Sequence, residues 1–408
     1  MKLAVLGTDA DILSLVVAAQ LAGHDIVWLG DVRPEEMAAV AKHLPNLRVS
    51  TDWESLLDHR LADAVLVGRG TAPEALRAEQ LKRLVADIMP VLAVHPIGTT
   101  VLAYFELDMG RHEVHGILRH YSPLAGSPCV AALAEWVRSG SGPIGTVHQI
   151  ICQRNLADYG RDEVVRSLAR DVEVLRAVAG GVRTVSAVGP RVADATYASL
   201  QVQMTSPGPA TLRWAVTPTA DASSTATLTL IGDRGAATWF MPSDRIEYAT
   251  NSGSEKQTRP TPPFDAARIA IDELAAALPA NGTAGSEAAS TWQSATGAME
   301  VVDTIELSLQ KGRTIEVHQQ RLTEQLAFRG TMAAFGCGLL LLVLIGLPIA
   351  GLIGDVLGVP LKDYWPALLL AVLALFLGMQ LLPWLVKRRR PESEGGWRSS
   401  DSEPPALD

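Results

Sequence analysis

Lys2-Leu-Ala-Val-Leu-Gly-Thr-Asp-Ala-Asp-Ile12 is the stretch whose reading decides the fold. Its apolar start, Lys2–Leu6, has the length of one buried strand, and Gly7 ends it. The apolar run from Ile12 to Leu21 has helical length and stops at Gly23. A strand that turns through glycine into a helix is the first half of a β-α-β unit. The same rhythm continues outward. Asp25–Leu29 reads as a second strand closed by Gly30-Asp31, and Pro34 stands at a first helical position. Thr51-Asp-Trp-Glu54 has the form of a capping box that starts another helix. Ala64–Val67 and Val91–Val94 read as buried strands with a helix from Pro73 to Ala86 between them. Glu113–Leu118 is expected to complete the sheet. Strands separated by helices in this way predict an α/β domain with a doubly wound parallel sheet over residues 1–123.

After Gly140-Ser-Gly-Pro143 the rhythm changes. A helix at Asp162–Ala179 precedes strands at Val182–Val188, Ser199–Met204, Thr211–Val216, Thr225–Ile231, Ala236–Phe240 and Arg245–Tyr248. Ser199–Met204 and Thr227–Leu230 alternate apolar and polar residues, as antiparallel strands with one wet face do. Helices at Phe264–Ala277 and Ser286–Leu309 follow. Residues 124–318 are therefore expected to form an α+β domain with a largely antiparallel open sheet, its last helix returning to the first domain.

The 408 residues carry a net charge of −9, which speaks against a nucleic-acid partner. Three cysteines, Cys129, Cys152 and Cys337, are odd in number and far apart, so they make neither a disulfide framework nor a zinc pattern. His112, His115 and His120 are spaced so that positions three apart on a strand face opposite sides, and no metal site is expected. Mean hydropathy is +0.17, and the apolar excess lies toward the C-terminus. Thr331–Ile353 and Tyr364–Val386 are each 23 residues without a charge, long enough to span a hydrocarbon core of about 30 Å. Residues 319–330 read as a juxtamembrane linker and 387–408 as a basic, then disordered tail. Arg321 and Arg329 precede the first span, and Lys387 with Arg388, Arg389 and Arg390 follows the second. The positive-inside bias places both termini and the folded domains in the cytoplasm, tethered to the membrane lipid by a two-span hairpin. The N-terminus reads as a strand rather than a signal peptide.

The chain order resembles the Gfo/Idh/MocA oxidoreductases, the glucose–fructose oxidoreductase and inositol dehydrogenase group, over roughly residues 1–318. Asp31-Val-Arg-Pro-Glu-Glu, Thr51-Asp-Trp-Glu-Ser-Leu-Leu, Asp63-Ala-Val-Leu-Val, His95-Pro96 and Arg119-His-Tyr-Ser-Pro123 carry the resemblance. So do Arg170-Asp-Val-Glu-Val-Leu-Arg176, Leu230-Ile-Gly-Asp-Arg-Gly235 and Gly312-Arg-Thr-Ile-Glu-Val317. The resemblance implies a Rossmann domain carrying NAD or NADP, followed by a domain whose open sheet holds a sugar or polyol. The residues it implies for the cofactor are Gly7, Thr8, Asp31 and Pro96. For catalysis it implies His95, Arg170 and Asp171.

At each of these positions the chain departs from the family pattern. Gly7 remains of the glycine-rich turn, but Asp9 and Ile12 replace its second and third glycines. Asp9 brings a side chain and a negative charge to the place of the phosphates, and Asp9 or Asp11 can instead cap the following helix. His95 stands where the family carries a lysine. It can still move protons near neutral pH, though it is no long cationic arm. Arg170 stands where the family carries a catalytic histidine and cannot act as a general base. Asp171 keeps its place and could orient a ligand hydroxyl. Arg77 aligns loosely with a further family histidine.

Two functional readings follow. In the first, the chain is a membrane-anchored module of oxidoreductase fold, degenerate at its motifs, that binds a sugar-like ligand or acts as a scaffold. In the alternative it is an active NAD(P)-dependent oxidoreductase on a sugar, polyol or related hydroxyl compound. The three departures favour the first, and a homo-oligomer is compatible with either. The charge asymmetry makes one expectation testable: a reporter fused after Asp408 should be active on the cytoplasmic side. Activity on the outer side would overturn the predicted topology.

Overall fold

In the computed structural model, residues 1–317 are described except 45–46, 48, 59, 191–195, 220–224, 252–255 and 279–286. The expected linker, spans and tail at 319–408 lie outside the described residues. Among the described ones, no helix is long and apolar enough to cross a membrane.

The first lobe alternates as the sequence suggests: β1 (Lys2–Leu6), α1 (Ala10–Leu21), β2 (Asp25–Gly30), α2 (Met37–His43), β3 (Val49–Ser50), β4 (Ala64–Val67), α3 (Glu74–Ala86), β5 (Val91–Val94), α4 (Val101–Val114) and β6 (Leu118–Tyr121). The six strands pair in parallel in the order β3-β2-β1-β4-β5-β6. β4 and β5 are buried along their whole length, as strands covered by helices on both faces must be. Two expectations need correction. Glu113–Leu118 is not a strand: α4 runs to Val114, His115 ends it in the left-handed region (φ 53°), and β6 begins only at Leu118. Thr51–Glu54 starts no α-helix: Trp53–Leu57 is a 3₁₀ turn without a side-chain cap, and Glu54 pairs with Arg83 instead.

The second lobe contains α5 (Pro128–Ser139), β7 (Val147–Leu156), α6 (Arg161–Ala179), β8 (Thr184–Val188), β9 (Gln201–Thr205), β10 (Thr211–Pro218), β11 (Thr225–Gly232), β12 (Gly235–Met241), β13 (Arg245–Thr250) and β14 (Gln257–Pro260). Then come α7 (Ala266–Ala277), α8 (Glu287–Lys311) and β15 (Ile315–Glu316). The nine strands pair in the order β14-β13-β12-β11-β7-β10-β9-β8-β15, and every neighbour is antiparallel except β7 with β10. Along β9 and β10, buried Val202, Met204, Leu212 and Trp214 alternate with exposed Gln201, Gln203, Thr211 and Arg213. The helices cover the apolar face.

The chain crosses between lobes more than once. Ala267, Ile271 and Leu274 of α7 join Ile12, Leu15, Val16 and Ala19 of α1 in one apolar cluster on the first sheet. Trp292 of α8 stacks on Tyr104 of α4 with ring centroids 5.3 Å apart, and its indole N–H donates to the Tyr104 carbonyl at 3.2 Å. Because β7 is central, its inward residues carry much of the lobe's burial. Ile150→Ala should cost about 2–5 kcal/mol of stability, whereas His148→Ala, on the exposed face of the same strand, should cost less than about 0.5 kcal/mol. Urea midpoints of the two variants check this.

Candidate functional site

In a parallel sheet of this order the strands leave in opposite directions from β1 and β4, which opens a crevice at their carboxyl ends. Gly7 leaves β1 with φ +85°, a conformation glycine adopts at no steric cost. A Cβ there would lie 2.6 Å from the Gly68 carbonyl oxygen and 2.7 Å from the Arg77 guanidinium. The space beside the glycine is thus filled by the chain's own backbone and side chain. Thr8 is buried, and its Oγ1 accepts the Arg33 N–H at 2.9 Å.

Asp9 takes both of its oxygens inward. Oδ1 accepts the Ile12 N–H at 2.9 Å and caps α1, while Oδ2 accepts the Arg69 N–H at 3.0 Å. Asp11, in the first turn of α1, pairs with Arg170 of α6. Burial raises the Asp11 pKa, against the pull of Arg170. Arg170 also donates through Nε to the His95 carbonyl at 3.1 Å, so one guanidinium links the two lobes.

Asp31 ends β2 in a left-handed conformation (φ 55°). Its carboxylate accepts the Thr71 N–H at 2.8 Å, the Ala72 N–H at 3.2 Å and the Thr71 hydroxyl, and it pairs with Arg77. Burial alone would raise its pKa, but the Thr71 hydrogen bonds and Arg77 hold it below the ordinary value. Arg77 is 2% exposed and donates to Gln80 Oε1 at 2.8 Å. A dinucleotide asks for free amides at the α1 N-terminus and a free acid after β2. In this chain Asp9 takes one of those amides, that of Ile12, and Asp31 is engaged by Thr71, Ala72 and Arg77.

His95 and Pro96 follow β5 and are buried, joined by a cis peptide bond. His95 Nδ1 lies 3.1 Å from the Tyr104 hydroxyl, which accepts the Ile97 N–H at 2.9 Å. Nε2 faces Glu173 Oε2 at 4.0 Å, beyond hydrogen-bonding reach. Burial, only partly offset by Glu173, lowers the His95 pKa to about 4, so the ring is neutral at pH 7 and no ion pair forms. Glu173 instead accepts from His120 of β6 at 2.6 Å. Burial works to raise the Glu173 pKa, but His120, with His95 and a Ser122 hydrogen bond, prevails and holds it at about 2.

Asp171 points into the second lobe and is 0% exposed. Its Oδ2 accepts from Arg154 Nε at 2.9 Å and from the Trp214 indole at 2.8 Å, and Oδ1 pairs with Arg154 again. Gly7, Thr8, Asp31, His95, Pro96 and Arg170 thus gather around the crevice, while Asp171 serves a buried network below it. Sequence reading missed Arg69, Thr71, Tyr104, Arg154 and Glu173. Only Glu173 had a signal, its place in the run with Arg170 and Asp171. His112 lies on α4, His115 caps that helix and His120 lies on β6. Among the described residues, no group of three or more His, Cys, Asp or Glu side chains could hold a metal ion.

No family model and no curated protein matches the chain. Solved structures do. An oxidoreductase from Thermotoga maritima superposes with a TM-score of 0.62 at 15% identity, covering 78% of this chain and 98% of that one. GenD2 of gentamicin A biosynthesis, in complex with NAD, gives 0.59 at 19% identity over 78% and 96%. An oxidoreductase from Agrobacterium radiobacter, in complex with NAD+, L-tartaric acid and magnesium, gives 0.59 at 15% over 78% and 98%. Identities this low establish the oxidoreductase fold and leave the chemistry to the residues.

The buried pair also sets a pH dependence. The unfolded chain protonates His95 near pH 6.5, but the folded chain resists until about 4. Stability from this group is therefore complete above pH 6.5 and is lost as pH falls toward 4, by on the order of 3 kcal/mol. Glu173 acts in the same direction between about 4.5 and 2. Chemical denaturation at stepped pH should show this acid slope, and His95→Asn should flatten it between pH 6.5 and 4.

Proposed function

We propose that the chain is a non-redox member of the oxidoreductase fold, a ligand-binding or scaffold module tethered to the cytoplasmic face of the membrane by its C-terminal hairpin. One observation carries this reading. The Asp9 carboxylate occupies the α1 N-terminus and also grips the Arg69 amide, so an internal anion stands where a pyrophosphate would be bound. Residues that would accept NAD or NADP do not fit it in this arrangement. Asp31 is committed to Thr71 and Arg77, and His95 is neutral and 1% exposed. The tether rests on two uncharged 23-residue runs and the basic cluster after them.

The second reading, an active NAD(P)-dependent oxidoreductase on a sugar-like hydroxyl compound, draws on the NAD complexes among the structures of the same fold. Titration of the full chain with NAD(H) and NADP(H) separates the two. Wild type should bind neither more tightly than about 1 mM, and tight binding of either would overturn the proposal. Asp9→Gly should then raise NAD(H) affinity, because it removes a charge at an anion-favouring helix end. It should cost about 1–2 kcal/mol of stability, from a weakened cap and an unpaired Arg69 amide. Under the active-enzyme reading the same change leaves affinity flat or lowers it.

A further inference from the structure

The chain leaves its second lobe at a rim of unpaired positive charge. Val317, the last described residue, donates its N–H to the Arg183 carbonyl at 2.8 Å, which seats the exit against the start of β8. At the other end of that strand, the turn between α8 and β15 carries Lys311 and Arg313. Gly312 makes the turn with φ +61°. Ser308 Oγ fastens it, donating to the Arg313 carbonyl at 2.7 Å and accepting the Ala187 N–H at 3.0 Å. Ala187 is four strand residues beyond Arg183, so the two ends of the rim lie about 13 Å apart. Arg183, Lys311 and Arg313 are all exposed, and among the described residues none of them has an ion pair. Other cations of the lobe do: Arg138 pairs with Glu135, Arg161 with Glu306 and Arg268 with Asp272. The acid on the rim is Glu316 of β15, exposed and opposite Thr184. Val188, at the end of β8, is 71% exposed, more than any other large apolar side chain described in this lobe. With Leu309 and Gly312 it lines an open cavity of about 140 Å³.

We infer that this rim is a docking surface for an anionic phospholipid bilayer, which Arg183, Lys311 and Arg313 meet through its headgroups and Val188 through its interfacial layer. Residues 318–330 alone separate Val317 from the first uncharged run at Thr331. Thirteen residues reach about 45 Å at full stretch and roughly 20 Å as flexible coil. A tether of that length keeps the exit rim, of all the fold's surface, near the lipid. The connecting residues carry the same sign of charge, Arg321 and Arg329 against Glu324. Each basic side chain near an anionic leaflet strengthens binding roughly fivefold, and a neighbouring aliphatic side chain adds apolar burial at the acyl boundary. The choice of lipid as occupant rests on the tether proposed above, while the unpaired rim itself does not.

The test is amide hydrogen exchange of the full chain reconstituted in vesicles of phosphatidylcholine, alone or with about one-third phosphatidylserine. Peptides covering 183–189 and 311–317 should exchange about fivefold or more slowly in the anionic vesicles. Salt near 1 M, where the Debye length is about 3 Å, should remove that protection. R183Q/K311Q/R313Q should remove it too, whereas Lys42→Gln, an exposed cation on α2 of the first lobe, should keep it. Equal exchange in the two kinds of vesicle overturns the surface, and so does protection that survives salt. Protection in neutral vesicles that grows with protein density assigns the rim to a second copy and also overturns it. If the triple variant does not fold, the salt response of wild type decides. Alkaline carbonate extraction keeps the two readings apart. A chain that stays in the vesicles without rim protection leaves the tether standing and sinks the surface. A chain that is extracted sinks the tether, and the surface is then judged by sedimentation with the anionic vesicles at low salt. Binding there that falls about tenfold or more in the triple variant upholds it, and no binding sinks both.

Discussion

One carboxylate, that of Asp9, ties the start of α1 to the loop after β4. The first amides of a helix have no partner within the helix and carry its positive dipole end, so they require an acceptor. Ligand-binding α/β folds commonly leave that acceptor to come from solution. Here Asp9 provides it from within and uses its second oxygen to hold the Arg69 amide on the loop after β4. A helix end and a neighbouring strand end are thereby joined across the gap between them. Asp31 and Arg77 make the second tie, from the end of β2 to the start of α3. Each interaction alone is modest. Both lie at the carboxyl ends of the first sheet's strands, where folds of this kind take their ligands.

The lobes are linked by charges that face inward. Arg170 reaches Asp11 and the His95 carbonyl from α6, and His120 of β6 meets Glu173 of the same helix. Arg154 and Asp171, with Trp214, form a satisfied network beneath. Buried ion pairs add little net stability over apolar packing, but losing one partner leaves a costly unpaired charge. Such contacts therefore hold the lobes in a defined arrangement more than they add stability. His95, Arg170 and Asp171 each contact another part of the chain.

Two of the elements that sequence reading missed, β7 and α4, share one physical feature. β7 is the central strand of the second sheet, yet its inward face reads Ile150, Cys152, Arg154, Leu156. A buried arginine breaks the apolar alternation, and only the distant Asp171 shows why it is tolerated. α4 hides in the same way, because Asp108 and Arg111 are buried and paired on its inner face. The misplaced strand at Glu113–Leu118 follows from that: without α4, the apolar residues at its end look like the start of β6. Where strands are apolar throughout, as in β1, β4 and β5, their boundaries were legible to within a residue.

The sequence by itself determined the sheet-building rhythm of the first lobe, the change to alternating strands in the second, and the loss of the second and third glycines after Gly7. Those are local properties, set by side-chain period and by what a turn permits. It also showed that Asp9 or Asp11 would cap α1, because a cap lies within three residues of its amide. Only the tertiary structure decided that Asp9 also holds Arg69, that Asp31 is closed off by Thr71 and Arg77, and that His95 is buried and neutral. The partners in those contacts come from elements separated by tens of residues in the chain. Their burial, charge and protonation depend on distances that local sequence does not encode.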